Sequence, residues 1–408
     1  MTRAFKRVKS NKGSSGVDGM TVDELQPYLN IGWSFIKAEV LEGIYKPSPV
    51  KKVEIRKEDG SKRELGIPTV LDRLLQQSIS QKLTEIYDPV FSEKSYGFRP
   101  NRSAHQAVKQ AQKYLNEGNK VVIELDLEKF FDKVNHDRLM TILEKRIKDK
   151  LLLNLIRKYL KTGIMSEGVL TYRKEGTPQG SPLSPLLSNI VLDELDKELE
   201  KRNHKFVRYA DDCSIYVKSI RSAERVKSSI TRFIESRMKL KVNRAKSKIS
   251  KGESSNLLGF SFYNISEGYQ IRISKKSYEK FKKTVRKITS RKWSTSIEER
   301  LRRLKEYTVG WVNYLKPARC KTRLQKLDEW IRFRLRMCIW KSWKTTMNRM
   351  KQLIRLGMDK FHALLNANTR KKYCRVAHSG ILHSTLTIKF FTDLGYADLV
   401  GIFLKGKF

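Results

Sequence analysis

Two adjacent aspartates, Asp211 and Asp212, lie within the apolar run FVRYADDCSIYV (206–217). The flanking β-branched and aromatic residues predict two short strands joined by a tight turn that carries both carboxylates. Adjacent carboxylates repel one another unless a cation meets them, and a divalent cation with oxygen ligands is the usual partner. The alternative is a polar hairpin tip, because Ala-Asp-Asp is ordinary turn chemistry. This segment alone leaves both interpretations open.

A two-metal site for phosphoryl transfer needs at least one further carboxylate from a separate element. The run VVIELDLEKFFD (121–132) offers Asp126 directly after a mostly apolar strand that we predict over 121–125. Glu124 and Glu128 occupy alternate positions of the same run. Spacing alone therefore does not choose among the three carboxylates.

The charge of the 408-residue chain predicts a polyanionic partner. The chain holds 85 Lys and Arg against 43 Asp and Glu, a net charge of +42. Nucleic acid is the expected partner, and an anionic membrane surface is the lesser alternative. No apolar run is long enough to span a bilayer, and the N-terminus lacks the hydrophobic core of a signal peptide, so we expect an intracellular, cytoplasmic protein. The four cysteines and six histidines show no spacing typical of a zinc site or an HNH-like cluster.

The pattern of the remaining chain predicts a mixed first part and a basic helical last part. Residues 50–69 alternate around Asp59-Gly60, which predicts a β-hairpin with a basic tip. Beyond about residue 275, basic residues interleave with tryptophans, a pattern that suits a nucleic-acid backbone or, alternatively, the core of a helical bundle. Other predicted elements are helices over 70–113 with a loop at 92–104, a strand entering a helix over 120–147, an amphipathic helix over 219–240 and a short strand pair over 257–265.

Five sequence blocks occur in the order of the catalytic blocks of reverse transcriptases. They are LDLEKFFDKVNHD (125–137), GTPQGSPLSPLLSNIVLDELD (176–196), FVRYADDCSIYV, LKVNRAKSKI (240–249) and LLGFSFY (257–263). With ELGIPTVLDRLLQQ (64–77) and SYGFRPNRSAHQA (95–107), the chain resembles the reverse transcriptase/maturase encoded by group II introns over about residues 8–350. The resemblance implies an α+β right-hand polymerase, with helix-rich fingers, a palm built on a small antiparallel sheet, and an all-helical thumb.

The resemblance also implies a division of the chain. The expected parts are an N-terminal extension and the start of the fingers at 1–49, fingers at 50–119, a palm at 120–270 with a fingers/palm insertion at 137–175, a helical thumb (maturase domain X) at 271–350, and a small C-terminal region at 351–408 like the one that some maturases use to bind DNA. No HNH endonuclease motif is found, so we expect the compact, class C-like type without cleavage of the second target strand.

In that family, the carboxylate of the first block and both aspartates of the YADD turn hold the metals. The resemblance therefore selects Asp126, Asp211 and Asp212 as catalytic, metal-binding residues, with two Mg²⁺ ions (Mn²⁺ as an alternative) and dNTP substrates. Phe131 matches the aromatic residue that packs under the incoming sugar, and its neighbour Phe130 is a competing candidate.

The hairpin at 50–69 resembles the fingers that fold over the incoming nucleotide. Lys57 and Arg63 then align with the pair that clamps the triphosphate, a role suited to cationic donors. Because Arg56 and Lys62 are their neighbours, this assignment could shift by one residue.

Three further residues match nucleotide contacts of the family. Gln179 and Gly180 match the turn that contacts the nucleotide and template, where glycine allows close approach of the backbone. Lys246 matches a lysine near the leaving pyrophosphate, with ordinary solvation as the alternative. The expected nucleic-acid contacts are Arg99, Arg102, Trp311, Tyr314, Lys316, Arg332, Arg334, Arg336, Lys341 and Lys344.

The resemblance implies an RNA-directed DNA polymerase and intron maturase. Its expected partners are the group II intron RNA, whose splicing it assists, the template-primer duplex, and the target DNA at which it copies the intron during retrohoming. One alternative is an RNA-binding maturase with a vestigial polymerase, against which the three intact aspartates argue. Another is a domesticated relative that acts in repair or CRISPR adaptation. The sequence leaves open whether the protein is a monomer or a homodimer.

Overall fold

The computed structural model of the chain describes residues 1–56, 60, 62–166, 169–172 and 175–405. Packing divides the chain into two units, Met1–Ser255 and Asn256–Phe408. Small sheets combine with many helices, which confirms the expected α+β class. Among the described residues, no helix has the length and apolar character needed to cross a membrane.

The first unit alternates helices with short strands. Side-chain oxygens of Thr69, Ser103 and Ser219 accept hydrogen bonds from the first turns of three of its helices, as N-cap residues do. The helices are α1 (Thr2–Ser10), α2 (Leu25–Leu41), α3 (Val70–Tyr87), α4 (Ala104–Asn116), α5 (Phe130–Lys133), α6 (His136–Glu144), α7 (Lys150–Lys161), α8 (Ser184–Lys201) and α9 (Ile220–Ser236). The strands are β1 (Val50–Arg56), β2 (Lys62–Ile67), β3 (Val121–Leu125), β4 (Ile164–Ser166), β5 (Val169–Thr171), β6 (Lys205–Tyr209), β7 (Asp212–Val217) and β8 (Lys248–Lys251).

A four-stranded antiparallel sheet in the order β6-β7-β3-β8 lies in the first unit. Its two inner strands, β3 and β7, are almost entirely buried, and Ile123 pairs with Ile215 at their centre. These residues share a hydrophobic core with Leu195 of α8 and Ile230 of α9. The sheet confirms the small antiparallel palm sheet and the strands that were predicted on either side of the two aspartates.

The second sheet of this unit has the order β2-β1-β4-β5. β1 and β2 form the predicted antiparallel hairpin, with Arg56 opposite Lys62, whereas β1 and β4 pair in parallel. Residues 57–59 and 61 of the hairpin tip, Lys57 among them, lie outside the described residues. The pairing of β1 with β4 was not predicted, because a three-residue strand gives almost no alternation to detect.

The second unit begins with a hairpin of β9 (Phe260–Ile265) and β10 (Gly268–Ile273). The predicted strand pair over 257–265 is therefore wrong, since only β9 lies there. Leu258 and Gly259 adopt positive φ angles of 52° and 81° and form a turn instead of a strand. The helices that follow are α10 (Lys275–Ile288), α11 (Ile297–Tyr314), α12 (Lys321–Ser342), α13 (Thr346–Arg355), α14 (Lys360–Ala367), α15 (Tyr373–Ala377), α16 (Gly380–Thr385), α17 (Ile388–Asp393) and α18 (Leu399–Leu404).

The packing boundary after Ser255 differs from the expected end of the palm at 270, because the β9-β10 hairpin belongs to the helical unit. The expected residue limits of the fingers, palm, thumb and C-terminal region stay predictions, because these names describe roles in binding nucleic acid.

Candidate functional site

The turn between β6 and β7 consists of Ala210 and Asp211, because Tyr209 and Asp212 are the last paired residues. Ala210 has φ +56°, a left-handed conformation that is uncommon for a residue with a side chain. Asp211 is half-buried and Asp212 is exposed. Such a short turn places both carboxylates at one end of the central sheet.

Asp126 is the residue that follows β3, and the strand register brings it to the same end of the sheet. Leu125 pairs with Cys213 in the antiparallel β3-β7 ladder, so the next position sets Asp126 opposite Asp212. Opposite residues in such ladders have Cα atoms roughly 4.5–5.5 Å apart. This register therefore brings Asp126 to the same end of the sheet as Asp211 and Asp212.

The other two acidic candidates of the same run lie in different surroundings. Glu124 is opposite Ser214; one carboxylate oxygen accepts a hydrogen bond from Ser250 at 3.1 Å, and the other lies 3.5 Å from the ammonium of Lys248. Glu128 is exposed and lies beyond the strand. The geometry therefore favours Asp126, in agreement with the choice that the resemblance implied.

A turn at residues 243–247 fixes the backbone of Asp126. The Asp126 N–H donates to Ser247 Oγ at 3.0 Å, and the Asn243 N–H donates to the Asp126 carbonyl at 2.9 Å. Lys246 is exposed within this turn, and its N–H bonds to Asn243. The fold thus places Lys246 in the segment that holds Asp126.

A metal site at these aspartates is supported by the backbone arrangement and by donor chemistry. Carboxylates at neighbouring strand ends supply the hard oxygen ligands that Mg²⁺ prefers. Among the described residues, however, no group of three or more His, Cys, Asp or Glu side chains stands ready to hold a metal ion. Cys213 adjoins Asp212, and burial raises the pKa of its thiol.

The Gln179-Gly180 turn lies against β2. The Gly66 N–H donates to the Gln179 carbonyl at 2.8 Å, and Arg63 Nε donates to Gln179 Oε1 at 2.7 Å. Gly180 has φ +118°, and a Cβ built there would lie 2.8 Å from the Gly66 carbonyl oxygen. The structure therefore brings together three of the predicted nucleotide contacts, Arg63, Gln179 and Gly180.

The two candidate aromatic residues have different environments. Phe130 is buried in the core of the first unit, whereas Phe131 is only half-buried. The Thr177 N–H donates to the Phe131 carbonyl at 2.6 Å, which ties Phe131 to the loop that carries Gln179. This arrangement supports Phe131 over Phe130 as the residue that contacts a sugar.

Two of the predicted nucleic-acid contacts have structural roles instead. Arg336 is buried and donates to the carbonyl oxygens of Leu382 and Leu386, which joins α12 to α16. The buried guanidinium of Arg99 pairs with Asp88 at 2.7 Å and donates to nearby carbonyls. Because their donors are already used inside the protein, we do not retain either arginine as a nucleic-acid contact.

Three others are partly engaged. Trp311 stacks on Phe281 with ring centroids 3.9 Å apart, as expected for a core aromatic. Arg334 Nε donates to Thr289 Oγ1 at 2.7 Å, and the ring of Tyr314 stays partly exposed. The other predicted contacts, all exposed or half-exposed, are Arg102, Lys316, Arg332, Lys341 and Lys344.

Comparison with protein families accounts for most of the chain. Residues 55–262, just over half of it, match the family "Reverse transcriptase (RNA-dependent DNA polymerase)". The chain belongs to the reverse transcriptase family. Residues 278–357 match the "Group II intron, maturase-specific domain". The first match contains the central sheet and all three aspartates, and together the matches confirm the resemblance to group II intron reverse transcriptases with maturase function.

Related proteins agree with this assignment. Protein YkfC of Escherichia coli (strain K12) is 32% identical over 289 residues, which cover 61% of this reverse transcriptase and 76% of YkfC. The group II intron-encoded protein LtrA of Lactococcus lactis subsp. cremoris is 38% identical over 206 residues, which cover 50% of this chain and 34% of LtrA. The match to LtrA thus spans about a third of that protein. A chain of a solved "Partial Cas6-RT-Cas1--Cas2 complex" is 24% identical with a TM-score of 0.36, over 58% of this chain and 41% of that one, a likeness too weak for any argument.

Sequence analysis of this reverse transcriptase did not single out several residues that support the site. Ser247 and Asn243 form hydrogen bonds with the backbone of Asp126, and the Gly66 N–H donates to the Gln179 carbonyl. Arg208, in the middle of the β6 strand, is fully buried. The sequence itself indicates that Arg208 has a partner inside the protein, because a cation within an apolar strand needs one.

Proposed function

We propose that this reverse transcriptase copies group II intron RNA into DNA with Asp126, Asp211 and Asp212 as its metal-binding residues. We further propose that it binds the intron RNA, assists its splicing, and acts at a DNA target during retrohoming. The observation that carries the polymerase proposal is the β3-β7 register, which sets Asp126 opposite Asp212 beside the Ala210-Asp211 turn. Mg²⁺ is the proposed ion, with Mn²⁺ as a substitute, and dNTPs are the proposed substrates.

The carboxylates would hold two divalent ions, which, when bound, neutralise charge on the attacking and leaving oxygens. Arg63, on β2 and hydrogen-bonded to Gln179, would contact the triphosphate of an incoming dNTP, and the glycine at position 180 would keep the Gln179-Gly180 turn close to β2. Phe131 would pack under the sugar and exclude a 2′-hydroxyl. Lys246, near Asp126, would donate a proton to the leaving pyrophosphate.

The polymerase proposal is tested by primer extension on an RNA template, with a DNA template of the same sequence for comparison. We expect full-length complementary DNA from the RNA template with Mg²⁺ and dNTPs, and none with a chelator present. RNA binding without any extension would contradict the proposal and would favour a maturase whose polymerase is vestigial.

The second unit offers a basic surface for RNA. Seven of the fourteen residues of α10 are Lys or Arg and one is Glu, and only Phe281 and Val285 of this helix are buried. Structured RNA is recognised largely through its shape and phosphates. We therefore propose that α10, with the exposed Lys341 and Lys344 and the half-exposed Lys316 and Arg332, binds RNA through the RNA backbone.

The affinity of the protein for intron RNA is expected to fall steeply with salt. If about six phosphates are neutralised, the affinity should drop about 10³-fold between roughly 50 and 200 mM salt. Neutralising two exposed lysines of α10 in the variant Lys276→Gln/Lys283→Gln should lower the slope of log K against log salt by about 1.5. The matched control is Arg302→Gln/Arg303→Gln, because both guanidinium groups already pair with Glu299. Filter binding at several salt concentrations measures the affinity of each protein for RNA. An affinity that does not change with salt would refute the phosphate contacts.

A further inference from the structure

A fully buried ion pair lies directly behind the Ala210-Asp211 turn. Arg208 of β6 and Asp196 of α8 are both 0% exposed, and they form a bidentate pair with N–O distances of 2.7 and 2.6 Å. Burial disfavours the charged guanidinium, but the charge and hydrogen bonds of Asp196, together with the nearby Cys213 and Asp193, raise the pKa of Arg208. Apolar residues in place of a buried ion pair often stabilise a protein equally well or better. The presence of this pair is therefore weak evidence for a role in stability.

The guanidinium of Arg208 also reaches the turn itself. Its Nη1 donates to the carbonyl oxygen of Ala210 at 2.9 Å, and this carbonyl belongs to the peptide that joins Ala210 to Asp211. The same Nη1 donates to Asn189 Oδ1 at 2.9 Å. One side chain thus connects the peptide before Asp211 to two residues of α8.

The network continues to the other side of the turn. Asn189 is fully buried, and its Nδ2 donates to the Gly97 carbonyl at 2.9 Å. Gly97 packs so closely on the turn that a Cβ there would lie 2.3 Å from the Ala210 nitrogen. The left-handed conformation of Ala210 is strained for a residue with a side chain. It is held between Arg208 on one side and Gly97 on the other.

We infer that Arg208 is a positioning residue for the metal-binding carboxylates. By fixing the Ala210-Asp211 peptide against α8, it sets where the Asp211 carboxylate lies relative to Asp126. Asp196 and Asn189 act through Arg208, since each holds one edge of its guanidinium. This inference rests on the proposed function of the three aspartates, which it deepens.

The test is the variant Arg208→Lys in the full-length chain, with Arg202→Lys as the matched control. Lysine keeps the charge but cannot form the fork of hydrogen bonds to Asp196, Asn189 and Ala210. Arg202 follows α8 at the surface and pairs with Glu198, so the same substitution there leaves the turn untouched. Two quantities are measured: the affinity for Mn²⁺ by electron paramagnetic resonance, without catalysis, and the Mg²⁺ concentration at half-maximal primer extension.

For Arg208→Lys we expect Mn²⁺ affinity to fall about tenfold, with a matching rise in the Mg²⁺ requirement, and kcat to drop about 10²-fold, the loss typical of a misplacement by about 1 Å. Arg202→Lys should match the wild type. A role in stability alone would lower the fraction of active enzyme, counted by burst amplitude, and would leave both metal dependences unchanged. That result would overturn the inference.

Arg208→Lys could fail to fold, which circular dichroism would show. In that case Asn189→Ala decides, because it leaves the pair of Arg208 with Asp196 intact and removes the amide that accepts from Arg208 Nη1 and donates to the Gly97 carbonyl. We expect a smaller change of Mn²⁺ affinity in the same direction, and unchanged affinity would overturn the inference. An inactive wild type with normal Mn²⁺ binding would refute the proposed polymerase instead, so the two failures are distinguishable.

Discussion

Replacing Asp126 by asparagine is expected to lower kcat for DNA synthesis on an RNA template by about 10²–10³-fold, the loss seen when one preorganised electrostatic group is removed. Asparagine has nearly the same shape as aspartate but is neutral, and it would weaken metal binding opposite Asp212. Backbone bonds from Asp126 to Ser247 and Asn243 do not involve the side chain, so the fold should persist. Single-turnover primer extension with saturating dNTP measures the effect.

Glu124→Gln is the matched control for Asp126→Asn. Glu124 precedes Asp126 by two positions on the same run, and its carboxylate is bonded to Ser250 instead of facing Asp212. This variant should keep most of the activity, and both variants should bind RNA as the wild type does. Equal losses in the two variants, or an active Asp126→Asn enzyme, would contradict the assignment of Asp126.

The second large effect is expected for Gly180→Ala. Alanine would be strained at φ +118°, and its Cβ would meet the carbonyl oxygen of Gly66 at 2.8 Å. The turn must then move away from β2, which separates Gln179 from Arg63. We expect kcat/KM for dNTP to fall about 10²-fold, the scale of a displacement by about 1 Å. Steady-state extension at varied dNTP concentration measures this value.

Gly118→Ala separates local strain from the effect on the site. Gly118 also has a positive φ, +88°, but a Cβ there would meet no atom within 4 Å. Its substitution should cost about 1 kcal/mol of stability and leave dNTP use unchanged. If Gly180→Ala behaves like Gly118→Ala, the contact of the Gln179-Gly180 turn with β2 has no part in nucleotide binding.

The strands and the turn of the site were predictable because each leaves a local pattern in the sequence. A mostly apolar run predicted β3, β-branched and aromatic residues predicted β6 and β7, and the two aspartates marked the turn between the last two. The choice among Glu124, Asp126 and Glu128 was not local. It depends on the pairing of Leu125 with Cys213, residues far apart in the sequence, so only the register or a family resemblance could decide it.

The roles of arginines were the least predictable feature. Arg99 and Arg336 have the residue type expected of a phosphate contact, but carbonyl oxygens inside the protein accept hydrogen bonds from both side chains. Arg208 was overlooked, although its buried position follows from the apolar strand around it. Residue type shows what an arginine can bind, whereas tertiary packing decides whether its donors are available.

Iron-mediated cleavage of the protein locates the bound metal and directly tests whether Asp126, Asp211 and Asp212 share a metal site. Fe²⁺ is substituted for Mg²⁺ in the full-length chain bound to a template-primer, and hydroxyl radicals formed at the bound iron cut the nearby backbone. We expect cuts in both segments, 124–128 and 209–213, which excess Mg²⁺ suppresses and Asp126→Asn removes. Cuts in only one of these segments, or a pattern that neither Mg²⁺ nor Asp126→Asn alters, would contradict a shared metal site of Asp126, Asp211 and Asp212.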